Sequence, residues 1–306
     1  MSRCALIVPT LNAGPRWREW LEAYGRQSLK PDVALVVDSA SSDDTAALAR
    51  AQGFEVRPIA RAEFNHGGTR QAAADSLPEA DILVFMTQDA LLDGPTALER
   101  LLEAFREPSV GAAFGRQLPH HDAGPIGAHA RLFNYPPHSE LRSLDDRARL
   151  GIKTAFISNS FAAYRRSALA RVGGFPRDTI MNEDTFVAGR MLTAGWRIAY
   201  VAEAAVRHSH DYRLGEEFRR YFDIGVFHAD SPWLRQTFGG AGGEGRRFVQ
   251  SELRYLLRHA PALIPAMLLR TGLKWLGYTL GSRCHPRLPL PLKRNLSMHR
   301  NFWSKT

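Results

Sequence analysis

The chain has 306 residues, 44% hydrophobic and 10% aromatic, which is enough to bury a large core and excludes wholesale disorder. Its formal charge of +9 is unevenly placed: residues 246–306 hold twelve Lys or Arg and one acid, Glu252, so this stretch carries +11 and the preceding 245 residues −2. Cys4 and Cys284 lie at opposite ends, which argues against a disulfide-stapled domain and for a reducing cytoplasm, and no apolar run reaches a secretory leader or the ~20 residues of a membrane span.

Short β-branched runs predict strands at 4–8, 33–37, 54–57, 82–86 and 111–114, with helices between them at 17–25, 43–52, 69–76 and 96–105. Continuous apolar runs such as ILVFM suit strands covered on both faces. Their alternation with helices implies parallel strands joined by right-handed crossovers. Ser41 and Ser42 are N-cap candidates for the second helix. Residues 116–150 are rich in Pro, His, Gly and charge and read as a long loop with one short helix. A strand then leads into a short helix stopped at Gly173 and Gly174, an amphipathic helix spans 182–195, and WRIAYV at 196–201 is a further strand. From residue 215 the chain is mostly helical, broken by a Gly-rich linker at 239–245.

In an open sheet of this kind ligands gather beyond the carboxyl ends of the strands. PTLNAG at 9–14, Asp38, and TQDA at 87–90 all fall there. Asp89 can hold a divalent cation, Mg²⁺ or Mn²⁺, or can simply cap a helix. Glu183 and Asp184 open a helix, where they either compensate its dipole or supply a general base; spacing does not choose between the two carboxylates. His208 and His210 flank Ser209 on one side of an extended segment, where either could ligate a metal. Gly67, Gly68 and Arg70 enter a helix in FNHGGTRQAAA, a pattern that suits a phosphate. No G-x-G-x-x-G follows the first strand, which disfavours a nicotinamide dehydrogenase.

Taken in order, ALIVPTLNAG, VVDSASSDDT, VFMTQDA, GGFP with NEDTFVAGRMLTAGWRI, and VRHSHDY resemble family-two glycosyltransferases of the GT-A fold, over residues 5–212. FNHGGTRQAA with MTQDA is similar, more narrowly, to bacterial rhamnosyltransferases of lipopolysaccharide or O-antigen assembly. The resemblance implies a mixed, mainly parallel α/β sheet with a helical C-terminal extension. It implies a catalytic domain at 1–214, with a nucleotide-sugar half at about 1–115 and an acceptor half at about 116–214, followed by a helical, basic region at 215–306. By the same resemblance Pro9, Thr10 and Asn12 would line the nucleotide pocket, with Gln88 nearby. Asp38 would hydrogen-bond the pyrimidine and Arg70 would approach the diphosphate. Asp89 would bind the metal with a late histidine, His208, and Asp184 would be the base. The first acid of the family's D-x-D motif is here Thr87, so one carboxylate is missing and metal dependence is left open. The Q-x-x-R-W run of processive synthases is absent.

The reaction implied is inverting transfer of one sugar, L-rhamnose from dTDP-β-L-rhamnose, to a hydroxyl of a glycan or lipid-linked glycan. The alternatives are another UDP- or dTDP-sugar donor, a nucleotidyltransferase (disfavoured by the loop after the first strand), and an inactive nucleotide-sugar-binding protein. The basic tail interleaves Arg and Lys with Tyr255, Leu257, Leu268, Trp275 and Leu276. That composition suits an anionic membrane surface, and hence a peripheral position on the cytoplasmic face of the inner membrane, or else a helical cap packed on the catalytic domain or a second subunit. Nucleic acid is disfavoured, since no binding module accompanies the charge.

Overall fold

A computed structural model describes residues 2–240 and 242–304. Its first half follows the expected alternation: β1 (Cys4–Thr10), α1 (Arg16–Gly25), β2 (Val33–Asp38), α2 (Thr45–Ala51), β3 (Glu55–Pro58), α3 (His66–Asp75), β4 (Ile82–Met86), β5 (Leu91–Leu92), α4 (Ala97–Glu103) and β6 (Val110–Leu118). The region expected to be a loop holds more structure: α5 (Pro125–Asn134), the short strand β7 (Glu140–Arg142) and the single turn α6 (Arg147–Leu150). Then come β8 (Phe161–Arg165), α7 (Arg166–Arg171), α8 (Glu183–Thr193) and β9 (Arg197–Arg207). The helical remainder is α9 (Leu214–Asp230), α10 (Pro232–Phe238), α11 (Gly242–His259), α12 (Ile264–Thr279) and α13 (Leu290–Leu296).

The strands form one mixed sheet in the order β3-β2-β1-β4-β8-β6-β9-β5, with β7 paired to β9. The β3-β2-β1-β4 half is parallel, as the alternation implies. Between β4 and β6, β8 is inserted antiparallel to both. β6 therefore runs in the same sense as β4, and β9 is parallel to β6. The consequence is positional. The carboxyl ends of β1, β2, β4, β6 and β9 and the start of β8 all meet on one edge. At Gly115, beside the register shift between β6 and β9, an added Cβ would come within 2.3 Å of the Ala204 carbonyl oxygen, so only glycine allows that approach.

Successive residues of β1 point to opposite faces, and both faces are buried. Ala5 and Ile7 join one apolar cluster with α3, α7 and α8, while Cys4, Leu6 and Val8 join the other with Trp17, Trp20, Leu98 and Leu101. The first cluster also contains Phe222, Val226 and Phe227 of α9. The region after residue 214 thus shares the core of the sheet instead of building one of its own. α12 and the turn after it lie close against α9: Cβ atoms at Gly277 and Gly281 would fall 2.5 and 2.0 Å from the carbonyl oxygens of Phe218 and Phe222. The linker expected at 239–245 is shorter than its glycines suggest, because α11 already begins at Gly242. Ala241 lies outside the described residues.

Candidate active site

The loops after β1 and β2 are tied together by side chains from both. Asn12, at φ 44°, accepts from Ser42 N at 2.8 Å through its Oδ1, and its own N–H donates to Ser41 Oγ at 2.9 Å. Ala13 N donates to Thr45 Oγ1 and Gly14 N to Asp43 Oδ2. Ser41 and Ser42 therefore serve this loop junction and do not cap α2, which begins only at Thr45. Asp38 is buried; its carboxylate accepts from Thr10 Oγ1 at 3.0 Å and from the Ser41 N–H and hydroxyl at 2.9 and 2.5 Å. Pro9 continues β1 opposite Val37. Gln88, expected at the nucleotide sugar, has its amide engaged elsewhere: Oε1 accepts from Leu11 N at 2.7 Å and Nε2 donates to Leu11 O at 3.0 Å. It locks the loop after β1 to the loop after β4.

In the structure the groups of FNHGGTR are engaged by protein, although Arg70 lines the same cavity as Asp89 and Asp184. Asn65 caps α3 with its own side chain, accepting from Gly68 N at 2.7 Å. A Cβ on Gly67 would lie 1.8 Å from the Pro176 carbonyl oxygen, so this glycine admits the GGFP backbone, and the helix terminus is covered by protein. Arg70 is ion-paired at 3.2 Å with Glu183, both side chains being about 5% exposed, and Arg70 Nη1 also donates to His66 O. A buried guanidinium answers the nearest carboxylate, and here that is the protein's own.

That ion pair separates the roles of the two acids at the start of α8. Glu183 Oε1 also accepts from Asn159 Nδ2 at 2.9 Å. Burial pushes the Glu183 carboxyl up, but Arg70, with His66 and the Asn159 amide, outweighs burial and holds it below the usual range. Asp184 has no ion-pair partner among the described residues. Its oxygens accept from Asn159 N at 3.1 Å and Thr185 N at 2.7 Å. Burial, together with the neighbouring charge on Glu183, pushes it up to about 7. Asn159, which the sequence did not single out, touches both acids and accepts from Tyr164 OH at 2.8 Å.

Asp89, His208 and His210 come together, one ligand atom from each lying within 4.8 Å of the others. Asp89 Oδ2 is 3.4 Å from His208 Nε2 and 3.7 Å from His210 Nε2. Burial raises the Asp89 carboxyl, but the two histidines outweigh burial and hold it well below the usual range. Burial also brings His210 down to about 3, so this imidazole is neutral near pH 7. Gln117, at the end of β6, fixes the tautomer of His208. Arg131 Nη1 donates to Gln117 Oε1 at 2.6 Å, which identifies that atom as oxygen, and His208 Nδ1 lies 2.9 Å from the same oxygen. His208 Nδ1 therefore carries a proton, which leaves Nε2, the nitrogen beside Asp89, as the atom that could ligate a metal. A carboxylate oxygen and two imidazole nitrogens this close together are a donor set that fits a divalent cation, and the outer partner Gln117 is the kind of support that metal-binding histidines have.

The acid pair and the Asp89 triad line one cavity of about 600 Å³. Its far wall comes from the C-terminal region, through Glu217, Arg220, Phe248, Lys274 and His299 among others. Pro9, Thr10, Asn12 and Asp38 are not part of this lining and lie along the neighbouring strand ends.

A sequence model described as glycosyltransferase like family 2 matches residues 2–222. The chain belongs to that family. Within this glycosyltransferase family it is 52% identical over 305 residues to the O-antigen chain rhamnosyltransferase WbaN of Salmonella anatum, covering 99% of this chain and 96% of that protein. The O-antigen chain rhamnosyltransferase RfbN of Salmonella typhimurium is 50% identical over 303 residues, with the same coverage. Among solved structures, the mannosyltransferase PcManGT of Pyrobaculum calidifontis, in complex with GDP-Man and Mn²⁺, superimposes with a TM-score of 0.59 at 21% identity, covering 100% of this chain and 88% of that one. The fold is GT-A, and the chain is a glycosyltransferase. Gln117, Asn159 and Arg131 were not legible as site residues of this family member, because each acts through partners that only the folded chain brings near.

Proposed function

We propose that this glycosyltransferase moves an L-rhamnosyl group from dTDP-β-L-rhamnose to a hydroxyl of an O-antigen or related lipid-linked glycan, by a single inverting displacement. The observation that carries this reading is the identity of about half, over nearly the whole of both chains, with two O-antigen chain rhamnosyltransferases. The site geometry agrees with it. Asp184 takes the proton of the acceptor hydroxyl: it lies on the cavity wall, has no ion-pair partner among the described residues, and is pushed up by burial and Glu183 to about 7, where a general base is most effective. Glu183 stays ionised against Arg70 and holds Asn159 and Asp184 in place. Asp89, His208 and His210 would hold Mn²⁺ or Mg²⁺, which when bound supplies positive charge to the leaving diphosphate. Asp38 keeps about one acceptor position free for a pyrimidine N–H, since a carboxylate offers about four and three are taken.

The C-terminal region supports a peripheral place at an anionic membrane. Among the described residues no helix is long and apolar enough to cross one. Yet Leu257, Leu268, Leu269 and Trp275 are 57, 59, 53 and 69% exposed, with Arg254, Arg258, Arg283 and Arg287 also exposed on the same helices and the turns beside them. Exposed Leu and Trp interleaved with Arg suit the headgroup depth at which a lipid-linked acceptor is met.

The test is transfer itself. The protein with Mn²⁺ is offered dTDP-rhamnose, UDP-glucose and GDP-mannose in turn, with lipid-linked glycan prepared from O-antigen-producing membranes. An α-L-rhamnosyl product formed from dTDP-rhamnose alone supports the reading. Transfer only from a UDP-sugar would move the donor assignment, and nucleotide binding without turnover from any donor would make the chain an inactive binder.

A further inference from the structure

A departing diphosphate needs positive charge, and Arg70, where the sequence put it, is ion-paired to Glu183. Six cationic side chains line the cavity: Arg70, Arg131, Lys153, Arg220, Arg270 and Lys274. Four are matched by carboxylates, Arg70 by Glu183 at 3.2 Å, Lys153 by Glu244 at 2.5 Å, and Arg270 and Lys274 by Glu217 at 2.7 and 3.0 Å. Among the described residues Arg131 and Arg220 have no ion pair. A charge on a cavity wall without a counter-charge is held at a cost that a bound anion would remove.

Both unmatched guanidiniums stand one residue away from a histidine of the Asp89 triad. Arg131 reaches His208 through their shared contact, Gln117 Oε1. Arg220 lies over the ring of Tyr212, 5.6 Å from its centroid, and the Tyr212 ring is 5.1 Å from that of His210. Arg131 already gives one N–H to Gln117. Arg220 makes no hydrogen bond to any described residue, so all five of its N–H donors are open to a ligand. Arg220 lines the same cavity as the acid pair and the Asp89 triad.

We propose that Arg220, seconded by Arg131, binds the diphosphate of the sugar nucleotide. This rests on the glycosyltransferase reading above and gives the C-terminal region a part in the chemistry. The acceptor oxygen forms its bond to the anomeric carbon, and the bond from that carbon to the diphosphate oxygen breaks. The electron pair leaves with the diphosphate while the acceptor proton passes to Asp184. The charge that grows on the leaving group is met by a planar guanidinium, whose paired N–H groups match phosphate oxygens.

The test is titration calorimetry of dTDP, UDP, dTMP and inorganic diphosphate in the presence of Mn²⁺, on the full chain and on Arg220→Gln and Arg220→Lys. Circular dichroism melting serves as the folding control. Loss of charge-assisted hydrogen bonds should weaken nucleoside diphosphate binding by about 10- to 100-fold in Arg220→Gln. Binding of dTMP should change much less, and Arg220→Lys should fall between the two. A wild-type-like melt with unchanged diphosphate affinity in Arg220→Gln overturns the assignment. So does an equal loss for dTDP and dTMP, which would mark a merely structural role. If the wild-type chain binds UDP and not dTDP, the donor reading fails while the Arg220 comparison is made with UDP and still decides. If it binds neither nucleotide nor inorganic diphosphate, both readings fall.

Discussion

The two sides of the cavity are built on different principles. On the sheet side, the polar groups after β1, β2 and β4 are nearly all committed to one another: Asp38 to Thr10 and Ser41, Asn12 to Ser42, Gln88 to Leu11. On the helical side, Glu217 gathers Arg270 and Lys274, while among the described residues Arg220 has no ion pair and both carboxylate oxygens of Glu252 are buried without a hydrogen bond. The outer surface of the same helices exposes Leu and Trp. A pre-paired edge holds a fixed geometry for chemistry, as preorganised catalysis requires. A wall with unmatched polar groups is completed by what binds to it. If the proposed roles hold, changes on the sheet edge should act mainly on turnover, and changes on the helical side mainly on diphosphate and surface binding.

The largest effect should fall where the two sides meet, at the start of α8. Asp184→Asn should lower kcat by roughly 10²- to 10⁴-fold, the usual worth of a general base. Its amide can replace only one of the two acceptors now used by Asn159 N and Thr185 N, so a stability loss of about 1–3 kcal/mol should accompany it. Glu183→Gln should show the reverse balance. It leaves Arg70 buried and unpaired, at about 3–5 kcal/mol of stability. The pH profile sharpens the contrast. If Asp184 is the base it acts only when ionised, so kcat/KM should fall about tenfold per unit below a pH of about 7 and level above it. Glu183→Gln removes the adjacent negative charge that raises Asp184, so the acid limb should move to lower pH. Near-wild-type turnover in Asp184→Asn would end its assignment as base.

A smaller effect is expected at the Asp89 triad. Chelator should lower activity and Mn²⁺ or Mg²⁺ restore it, and Asp89→Ala should lose that response. Gln117→Ala touches no metal directly but frees the His208 tautomer, so Mn²⁺ affinity should drop about 10- to 100-fold, read by titration without substrate. Full activity in excess chelator would show that the missing acid at Thr87 marks a metal-independent enzyme.

The parallel half of the sheet was legible because each strand there is a continuous apolar run with local helices between. β8 was legible as a strand, but its antiparallel insertion was not, since direction is set by the excursion through α5, β7 and α6 and not by any local pattern. Asp89 and His208 were joined in the sequence only through the family resemblance; in the fold they meet with His210 because β4 and β9 run in the same sense and end on one edge. The protein partners of Arg70 and Gly67 were not legible, for one physical reason. An Arg and a glycine at a helix start read alike whether their partner is a phosphate or a buried carboxylate and backbone, and here the partners, Glu183 and Pro176, lie more than a hundred residues away. Arg220 was not singled out, because it lies before the basic stretch at 246–306 and only the fold shows that it lines the cavity.

The smallest effect, and the sharpest test of the helical side, concerns its outer surface. Removing the helices after α10 would not isolate membrane binding, because Phe248, Arg270 and Lys274 line the cavity. Surface substitutions leave that lining alone. Trp275→Ser with Leu268→Ser removes two side chains that are 69 and 59% exposed, so stability should hardly change. Each contributes about 1 kcal/mol or more if it enters the headgroup region, so vesicle affinity should fall by about 5- to 50-fold for the pair. Binding should require anionic lipid, at roughly 1 kcal/mol for each engaged Arg or Lys, and should weaken with salt, since exposed charges are screened beyond about 8–10 Å. Turnover of a detergent-solubilised acceptor should remain, while turnover of the same acceptor in vesicles should fall, which separates surface docking from chemistry. Equal binding of the wild-type chain to neutral and anionic vesicles, or none to either, would return these residues to a protein contact. Analytical ultracentrifugation would then read that contact directly: a dimer in the wild-type chain that the double substitution dissociates.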